Sequence, residues 1–146
     1  MALNHKKLAI AFLIISFLGF LDATYLTVEH YRGVPPPCSL IKGCEKVTTS
    51  KYAAVFGVPV ALSGLIFYLA IFVLSVLIWQ TGKVEIFKVV FYLSVLGFLA
   101  SLWFLYLQLF VIGAICVYCL FSALTSTAIF GFGLFATRVE DKEYRV

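Results

Sequence analysis

The residues most able to do chemistry in this chain are its four cysteines, which occur as two close pairs. Cys116 and Cys119 form a C-x-x-C within the apolar stretch "ICVYCLF", and Cys38 and Cys44 are separated by five residues in a more polar segment. Four cysteines allow three disulfide pairings, among which the sequence alone does not choose. Such pairs indicate thiol–disulfide chemistry in an oxidising compartment, or a metal site.

The spacing of the pairs favours thiol–disulfide exchange over zinc binding. The five-residue gap between Cys38 and Cys44 is wider than the usual zinc knuckle, so we expect no metal. Cys116 and Cys119 share a face on the predicted first turn of a helix. Unpaired N–H groups and the helix dipole favour a thiolate there, which is the reactive form, whereas burial in lipid opposes the charge.

The elements that carry these cysteines are predicted to lie in a membrane. The chain has 146 residues, 63% of them hydrophobic and 12% charged, with a mean hydropathy of +1.07. Soluble domains carry about 25% charged residues. The net charge of +4 does not indicate nucleic acid, because Lys and Arg occur in short clusters between apolar runs. We predict a single integral membrane domain, residues 1–146, whose surroundings are the lipid bilayer.

Two long uncharged stretches divide this domain into crossings. No Asp, Glu, Lys or Arg occurs between Lys51 and Lys83, or between Lys88 and Arg138. The second stretch would span about 74 Å as one helix, whereas a crossing takes about 20 residues, so a break is expected near Gly113. The sequence therefore predicts four transmembrane helices and one long loop. The helices are placed at residues 8–28, 58–79, 87–110 and 115–136, and the loop at 29–56.

The first crossing also resembles a secretory signal, because His5-Lys6-Lys7 precedes an apolar run. The run continues past Tyr25, and Leu21 stands where a cleavage site would place a small residue, so we expect no cleavage.

Four crossings place both termini on one side, which carries seven Lys and Arg residues against four on the other. The positive-inside rule assigns the first side to the cytoplasm, in the plasma or inner membrane. Both cysteine pairs then lie on the exoplasmic side, although the helices were placed from hydropathy alone, without use of the cysteines.

Two dithiols at different depths indicate a relay: the loop pair can exchange with a protein, and the helix pair can meet a lipid-soluble electron carrier. A quinone accepts two electrons and two protons, which matches one dithiol.

Several motifs occur in a characteristic order: Tyr25-Leu26-Thr27 ending the first crossing, C-x5-C in the loop, Ser50 six residues after the second cysteine, Gly57-Val58-Pro59 with "ALSGLIFY", and the C-x-x-C. This order resembles the vitamin K epoxide reductase family, in its bacterial or archaeal disulfide-forming form, over nearly the whole chain. The resemblance implies an all-α membrane four-helix bundle around a quinone of the ubiquinone, menaquinone or vitamin K type. The exoplasmic loop would cap the quinone pocket.

The resemblance also implies a role for each cysteine. Cys119 would donate to the quinone, and Cys116 would exchange with a loop cysteine. Cys38 and Cys44 would shuttle electrons from a thioredoxin-like partner; we favour Cys38 facing Cys116 and Cys44 facing the partner. Ser50 matches the family's loop Ser/Thr near the quinone.

Two departures bear on the activity. Vertebrate members that reduce vitamin K epoxide carry a Tyr four residues after the second C-x-x-C cysteine, where this chain has Ala123, and they use a membrane Asn, whereas the only Asn here is Asn4. We therefore favour a quinone-linked thiol oxidase that supports disulfide formation in exported proteins over a vitamin K epoxide or quinone reductase.

Some bacterial members fuse a thioredoxin-like domain at the C-terminus; since this chain ends ten residues after Ala136, we expect a separate exoplasmic or periplasmic partner. A non-enzymatic tetraspan protein with structural disulfides is the third hypothesis.

Polar residues in the predicted helices are further candidates. Asp22 is the one acidic residue in an apolar run, and intramembrane ionisable groups are functional candidates by default. It would handle protons at the quinone, or bond to a neighbour near the interface. Four more polar residues would either donate to a quinone oxygen or anchor the chain at the membrane interface. These are Tyr25, Tyr68, Gln108 and Tyr118. Small residues at Gly97-x-x-x-Ser101 and Ser122-x-x-x-Ser126 predict close helix packing.

Overall fold

Four long helices account for most of the chain in a computed structural model that describes residues 2–38 and 43–145. They are α1 (Ala2–Arg32), α3 (Val60–Thr81), α4 (Val84–Tyr106) and α5 (Val117–Tyr144). The connection between α1 and α3 contains a short helix, α2 (Cys44–Thr48), and a two-stranded hairpin of β1 (Ala54–Val55) and β2 (Val58–Pro59). The predicted all-α four-helix fold is confirmed.

Within the described residues, four helical segments are long and apolar enough to cross a membrane. They are His5–Arg32, Val60–Thr81, Val84–Ile112 and Val117–Val139. Large apolar side chains cover the outside of the bundle; Leu96 and Leu124, for example, are 65% and 68% exposed. Contact with water would be unfavourable for so much apolar surface, whereas contact with lipid is not. The chain is a multi-pass membrane protein.

The helices pack through small residues and a few polar contacts. α1 packs most extensively against α3, and α4 against α5. A Cβ at Gly19 would collide with the ring of Tyr68, so this glycine permits the close approach of α1 to α3. The Oγ atoms of Ser101 and Ser126 lie 2.5 Å apart and join α4 to α5. These two hydroxyls thus find a partner inside the protein, as lipid requires.

The first connection is more ordered than a simple loop. α1 continues through Arg32, and the hairpin reaches Pro59 before α3 begins. Phe56 and Gly57 turn the hairpin with φ of 52° and 79°, the positive values that a two-residue hairpin turn requires. Pro59 then lies in extended conformation as the N-cap of α3, so the hairpin is joined directly to the second membrane helix.

The third and fourth membrane helices are joined by an unusual turn. After Tyr106 the helix widens into a π-helical turn, Leu107–Ile112, which ends at Gly113 with a φ of 68°. Glycine is favoured in that left-handed conformation because it has no Cβ. α5 begins four residues later, with Cys116 as its N-cap. The turn therefore delivers the C-x-x-C to the first turn of α5, beside the connection that carries α2.

Candidate active site

All four cysteines lie together at this end of the bundle. Cys44, Val47 and Cys116 form the buried centre of a cluster, against which Cys38 and Cys119 pack; we call this the cysteine cluster. Cys38 and Cys44 form a disulfide with Cα atoms 6.0 Å apart, so in this state their sulfurs are not zinc thiolates. Cys116 and Cys119 are free thiols.

Gly43 allows α2 to dock against the turn before the C-x-x-C. A Cβ at Gly43 would collide with the backbone carbonyl of Ile115. The close approach brings Cys44, the first residue of α2, into the cysteine cluster, with Val47 buried on the same face. The role of this glycine was not predicted from the sequence, although its position directly before a loop cysteine was an available signal.

The two loop cysteines differ in exposure, and the difference does not favour our expectation that Cys38 faces Cys116. Cys44 and Cys116 are both completely buried in the cluster, whereas Cys38 is only partly buried. The physical reason is that α2 turns Cys44 inward, while Cys38 follows a proline-rich segment whose Pro37 is exposed. Cys44 therefore lies deeper in the cysteine cluster than Cys38 does.

The Cys116 thiol is electrostatically tuned. Its pKa is lowered to about 7, chiefly because the Cys119 thiol donates a hydrogen bond to the Cys116 sulfur. Burial opposes this effect, and the N–H groups of Cys119 and Tyr118 add to it. The Cys116 side chain makes no full capping hydrogen bond to these N–H groups, so they act mainly through the helix dipole. Cys116 consequently carries substantial thiolate near neutral pH, the form that exchanges with disulfides.

A cavity of about 520 Å³ lies beside the cluster, bounded by all four long helices and by the α1–α3 connection. Its volume falls within the range of about 300–1,000 Å³ typical of small-molecule sites. Many lining residues are small, which leaves the space open. They include Gly64, Gly97, Ala100, Ser101, Ser122 and Ser126. The small-residue motifs thus also shape a cavity, which we did not anticipate from their spacing.

Cys119 borders this cavity, whereas Cys116 is not among its lining residues. Of the polar candidates, Asp22, Ser50, Tyr68 and Gln108 also line it. The C-x-x-C therefore divides between two environments: Cys116 belongs to the cysteine cluster, and Cys119 connects the cluster to the cavity.

The polar groups on the cavity wall differ in their hydrogen bonding. Asp22 Oδ2 is buried and has no partner among the described residues. The Ser50 hydroxyl donates to the carbonyl of Val47, at 2.8 Å. The Tyr68 hydroxyl lies 2.7 Å from both the Ser122 carbonyl and the Thr125 hydroxyl. Asp22 thus retains an unused acceptor, while Tyr68 is committed to joining α3 to α5.

Tyr25 and Tyr118 occupy a different place from the one proposed in the sequence analysis. Neither is among the described residues that line the cavity. Their rings contact each other, with centroids 5.3 Å apart, and the Tyr118 hydroxyl donates to the carbonyl of Pro37, at 3.3 Å. The pair holds the segment before Cys38 against α1 and α5, and this geometry gives no support to a direct contact with a cavity ligand.

Gln108 has a specific partner in the C-x-x-C. Its side-chain oxygen accepts the N–H of Cys116 at 3.0 Å, and the residue is only 4% exposed.

The membrane helices, the cysteine cluster and the cavity together define a class: a multi-pass helical membrane protein with two adjoining cysteine pairs, one of which borders an apolar cavity.

Comparison with known proteins places the chain within this class. The sequence model of the vitamin K epoxide reductase family matches residues 10–134, and the chain belongs to that family, which confirms the resemblance drawn from its motifs. Among curated proteins, the thiol-disulfide oxidoreductase LTO1 of Arabidopsis thaliana is 32% identical over 122 residues, covering 75% of this chain and 31% of the relative. The chain thus spans about a third of that relative's length. Both findings support a redox function in a membrane.

Proposed function

We propose that this protein is a thiol–disulfide oxidoreductase that transfers electrons from a thioredoxin-like partner to a membrane quinone, and so supports disulfide formation in exported proteins. The observation that carries the proposal is the position of the C-x-x-C, with Cys116 beside Cys44 and Cys119 on the cavity wall. One dithiol can therefore exchange with the loop pair on one side and meet a cavity ligand on the other.

The first exchange takes place at the exposed end of the relay. A thiolate of the reduced partner attacks Cys38 in the loop disulfide, and the partner's second thiolate resolves the mixed disulfide. The partner leaves oxidised, and Cys38 and Cys44 are reduced. Attack at Cys38 follows from its partial exposure, because Cys44 is completely buried.

The second exchange takes place inside the cysteine cluster. The Cys44 thiolate attacks Cys116 in an oxidised C-x-x-C and releases the Cys119 thiolate at the cavity wall. Cys38 then attacks Cys44, which reforms the loop disulfide and releases Cys116. Because the pKa of Cys116 is lowered to about 7, its thiolate is a good leaving group in this step. The products, an oxidised loop pair and two C-x-x-C thiols, correspond to the state that the structure describes.

The last transfer oxidises the C-x-x-C dithiol to a disulfide. The cavity would hold a quinone, which would accept the two electrons and two protons that the dithiol gives up. The volume and largely apolar walls suit such a ring. Asp22 has a free buried oxygen through which protons can pass. The Ser50 hydroxyl would have to turn away from Val47 to donate to a quinone oxygen.

Ala123 supports this thiol oxidase over reduction of vitamin K epoxide. It lines the cavity at the position where, by resemblance, epoxide-reducing vertebrate members carry a Tyr, and its methyl group offers no proton donor. We place the protein in the plasma or inner membrane, with both termini in the cytoplasm and the cysteine cluster on the exoplasmic side.

The test is quinone reduction by the purified protein. A reduced thioredoxin-like protein and a water-soluble quinone are supplied, and quinone absorbance is followed. We expect turnover that is lost on Cys→Ala substitution at any of the four cysteines. A protein whose disulfides are only structural would show no turnover to lose, and conversion of vitamin K epoxide by the wild-type chain would favour the reductase hypothesis.

A further inference from the structure

The backbone just before α5 is held almost entirely by one residue. Gln108 accepts the N–H of Gly113 and of Ala114 at its main-chain carbonyl, and the N–H of Cys116 at its side-chain Oε1. Since the donor at Cys116 is a backbone N–H, the amide atom facing it must be the oxygen. Three of the four N–H groups in residues 113–116 therefore bond to Gln108.

This arrangement replaces a standard element of helix capping. In a capping box, the third residue of the helix carries a Glu or Gln that reaches back to the N–H of the N-cap residue. Cys116 is the N-cap of α5, and the third residue after it is Cys119, which carries a thiol. The N–H of Cys116 would be buried without a strong acceptor, and Gln108 supplies that acceptor from the preceding helix.

We propose that Gln108 is a positioning residue that holds Cys116 at the N-cap of α5, where the Cys119 thiol and the helix N–H groups favour its thiolate. The inference deepens the proposed function and rests on it for its biological meaning. It differs from the sequence-based hypothesis that Gln108 donates to a quinone oxygen: that bond would use the Nε2–H₂ group, whereas the positioning role uses Oε1, which accepts the Cys116 N–H. Without this bond, the main-chain bonds of Gly113 and Ala114 to Gln108 remain, but Cys116 loses its own link to the π-helical turn, and its sulfur moves away from its donors.

The test measures the reactivity of Cys116 directly. In a full-length variant with Cys38→Ser, Cys44→Ser and Cys119→Ser, Cys116 is the sole thiol, and the hydroxyl introduced by Cys119→Ser keeps a donor beside it. The rate of alkylation by iodoacetamide is followed from pH 5 to 10. Gln108→Met, which keeps the length but removes the acceptor, should move the midpoint upward by about one pH unit, which leaves roughly fivefold less thiolate at pH 7. Ser94→Ala, a control on α4 that removes only a hydroxyl bonded to the carbonyl of Phe91, should not move it.

Two further measurements make the outcome decisive. In the protein with all four cysteines, Gln108→Met should slow turnover while leaving the KM for quinone unchanged; a raised KM with an unmoved alkylation midpoint would show a ligand contact and overturn the proposal. If Gln108→Met does not fold, amide hydrogen exchange in the wild-type protein decides the question. The proposal predicts that the Cys116 amide is protected. If that amide exchanged as fast as the amide of exposed Gly57, the bond would be refuted. The alkylation midpoint needs no quinone, so failure of the proposed function is distinguishable from failure of this one.

Discussion

The two thiols of the C-x-x-C are made different by their surroundings. Cys116 is completely buried, yet it receives a hydrogen bond from Cys119 and lies at the positive end of α5. Cys119 is the donor in this pair and faces the cavity. The negative charge of the reduced dithiol is therefore directed to Cys116, and the proton to Cys119. An exchanging thiolate and a proton-carrying thiol are what the two sides of a relay require.

The lowered pKa of Cys116 predicts the pH dependence of its reactivity. Thiolate is populated above about pH 7 and is lost as the pH falls through that value. With both loop cysteines replaced by Ser and Cys119→Ser in place, the alkylation rate of Cys116 should level off above about pH 7 and fall about tenfold per unit well below it. Cys119→Ala removes the largest cause of the shift, so its profile should continue to rise at higher pH. Identical profiles for the Ser and Ala variants would contradict this account.

Asp22 predicts a second residue-level effect. Asp22→Asn keeps the shape of the side chain but removes the group that can carry a proton beside Cys119. We expect quinone-dependent turnover to fall by about 100-fold, a typical loss for a proton-transfer group, while the helical content and detergent-extracted yield stay the same. Glu85→Gln, which alters an 82% exposed acidic side chain, serves as the control. Turnover equal to that of the control would sink the proton role.

At the scale of elements, the proposed relay would depend on contact between α2 and the turn before α5. Both are short and lie outside the membrane helices, yet they bring Cys44 and Cys116 together. The contact is backbone against backbone, because Gly43 has no side chain to hold it away from Ile115. A small change there should therefore affect exchange more than it affects the bundle.

Gly43→Ala tests that contact. Its φ of −142° is open to alanine, so the effect comes from the collision with Ile115 alone. We expect α2 to be displaced, at a cost of about 1–3 kcal/mol for overpacking, with slower electron transfer from the loop pair to the C-x-x-C. The rate is measured by trapping the Cys116–Cys119 thiols at intervals after adding reduced partner. Gly131→Ala, where a Cβ would meet nothing within 4 Å, should transfer at the wild-type rate, and equal rates for the two variants would exclude a close contact.

The elements also show how far the sequence could predict the site. The break near Gly113 followed from helix length alone, because 49 uncharged residues exceed one crossing. The π-helical turn did not follow, since nothing in the residue types of Leu107–Ile112 distinguishes a widened turn from an α-helix. The inward orientation of Cys44 did not follow either, for a related reason: it is set by the docking of α2, a contact between segments about 70 residues apart.

At the scale of the whole molecule, hydropathy was a sufficient guide to the fold. Apolar runs long enough to span a membrane leave few alternatives to helices, because lipid offers no partner to an unpaired backbone group. The cavity was less accessible to prediction, since it results from small residues on three helices meeting at one depth, among them Gly64, Ala100 and Ser122. Each of these residues alone indicates only close packing.

The same architecture predicts which end of the bundle faces the cell exterior. Lys51 lies in the connection that carries α2, Lys83 lies between α3 and α4, and both are exposed. Because a single membrane helix, α3, separates the two lysines, they must lie on opposite sides of the membrane. By the positive-inside rule, the excess of Lys and Arg at the Lys83 end predicts that this end lies in the cytoplasm. In a chain without native cysteines, Lys51→Cys should react with a membrane-impermeant maleimide in intact cells, and Lys83→Cys only after permeabilisation. The reverse pattern would place the cysteine cluster in the reducing cytoplasm, where a relay that forms disulfides for exported proteins could not operate.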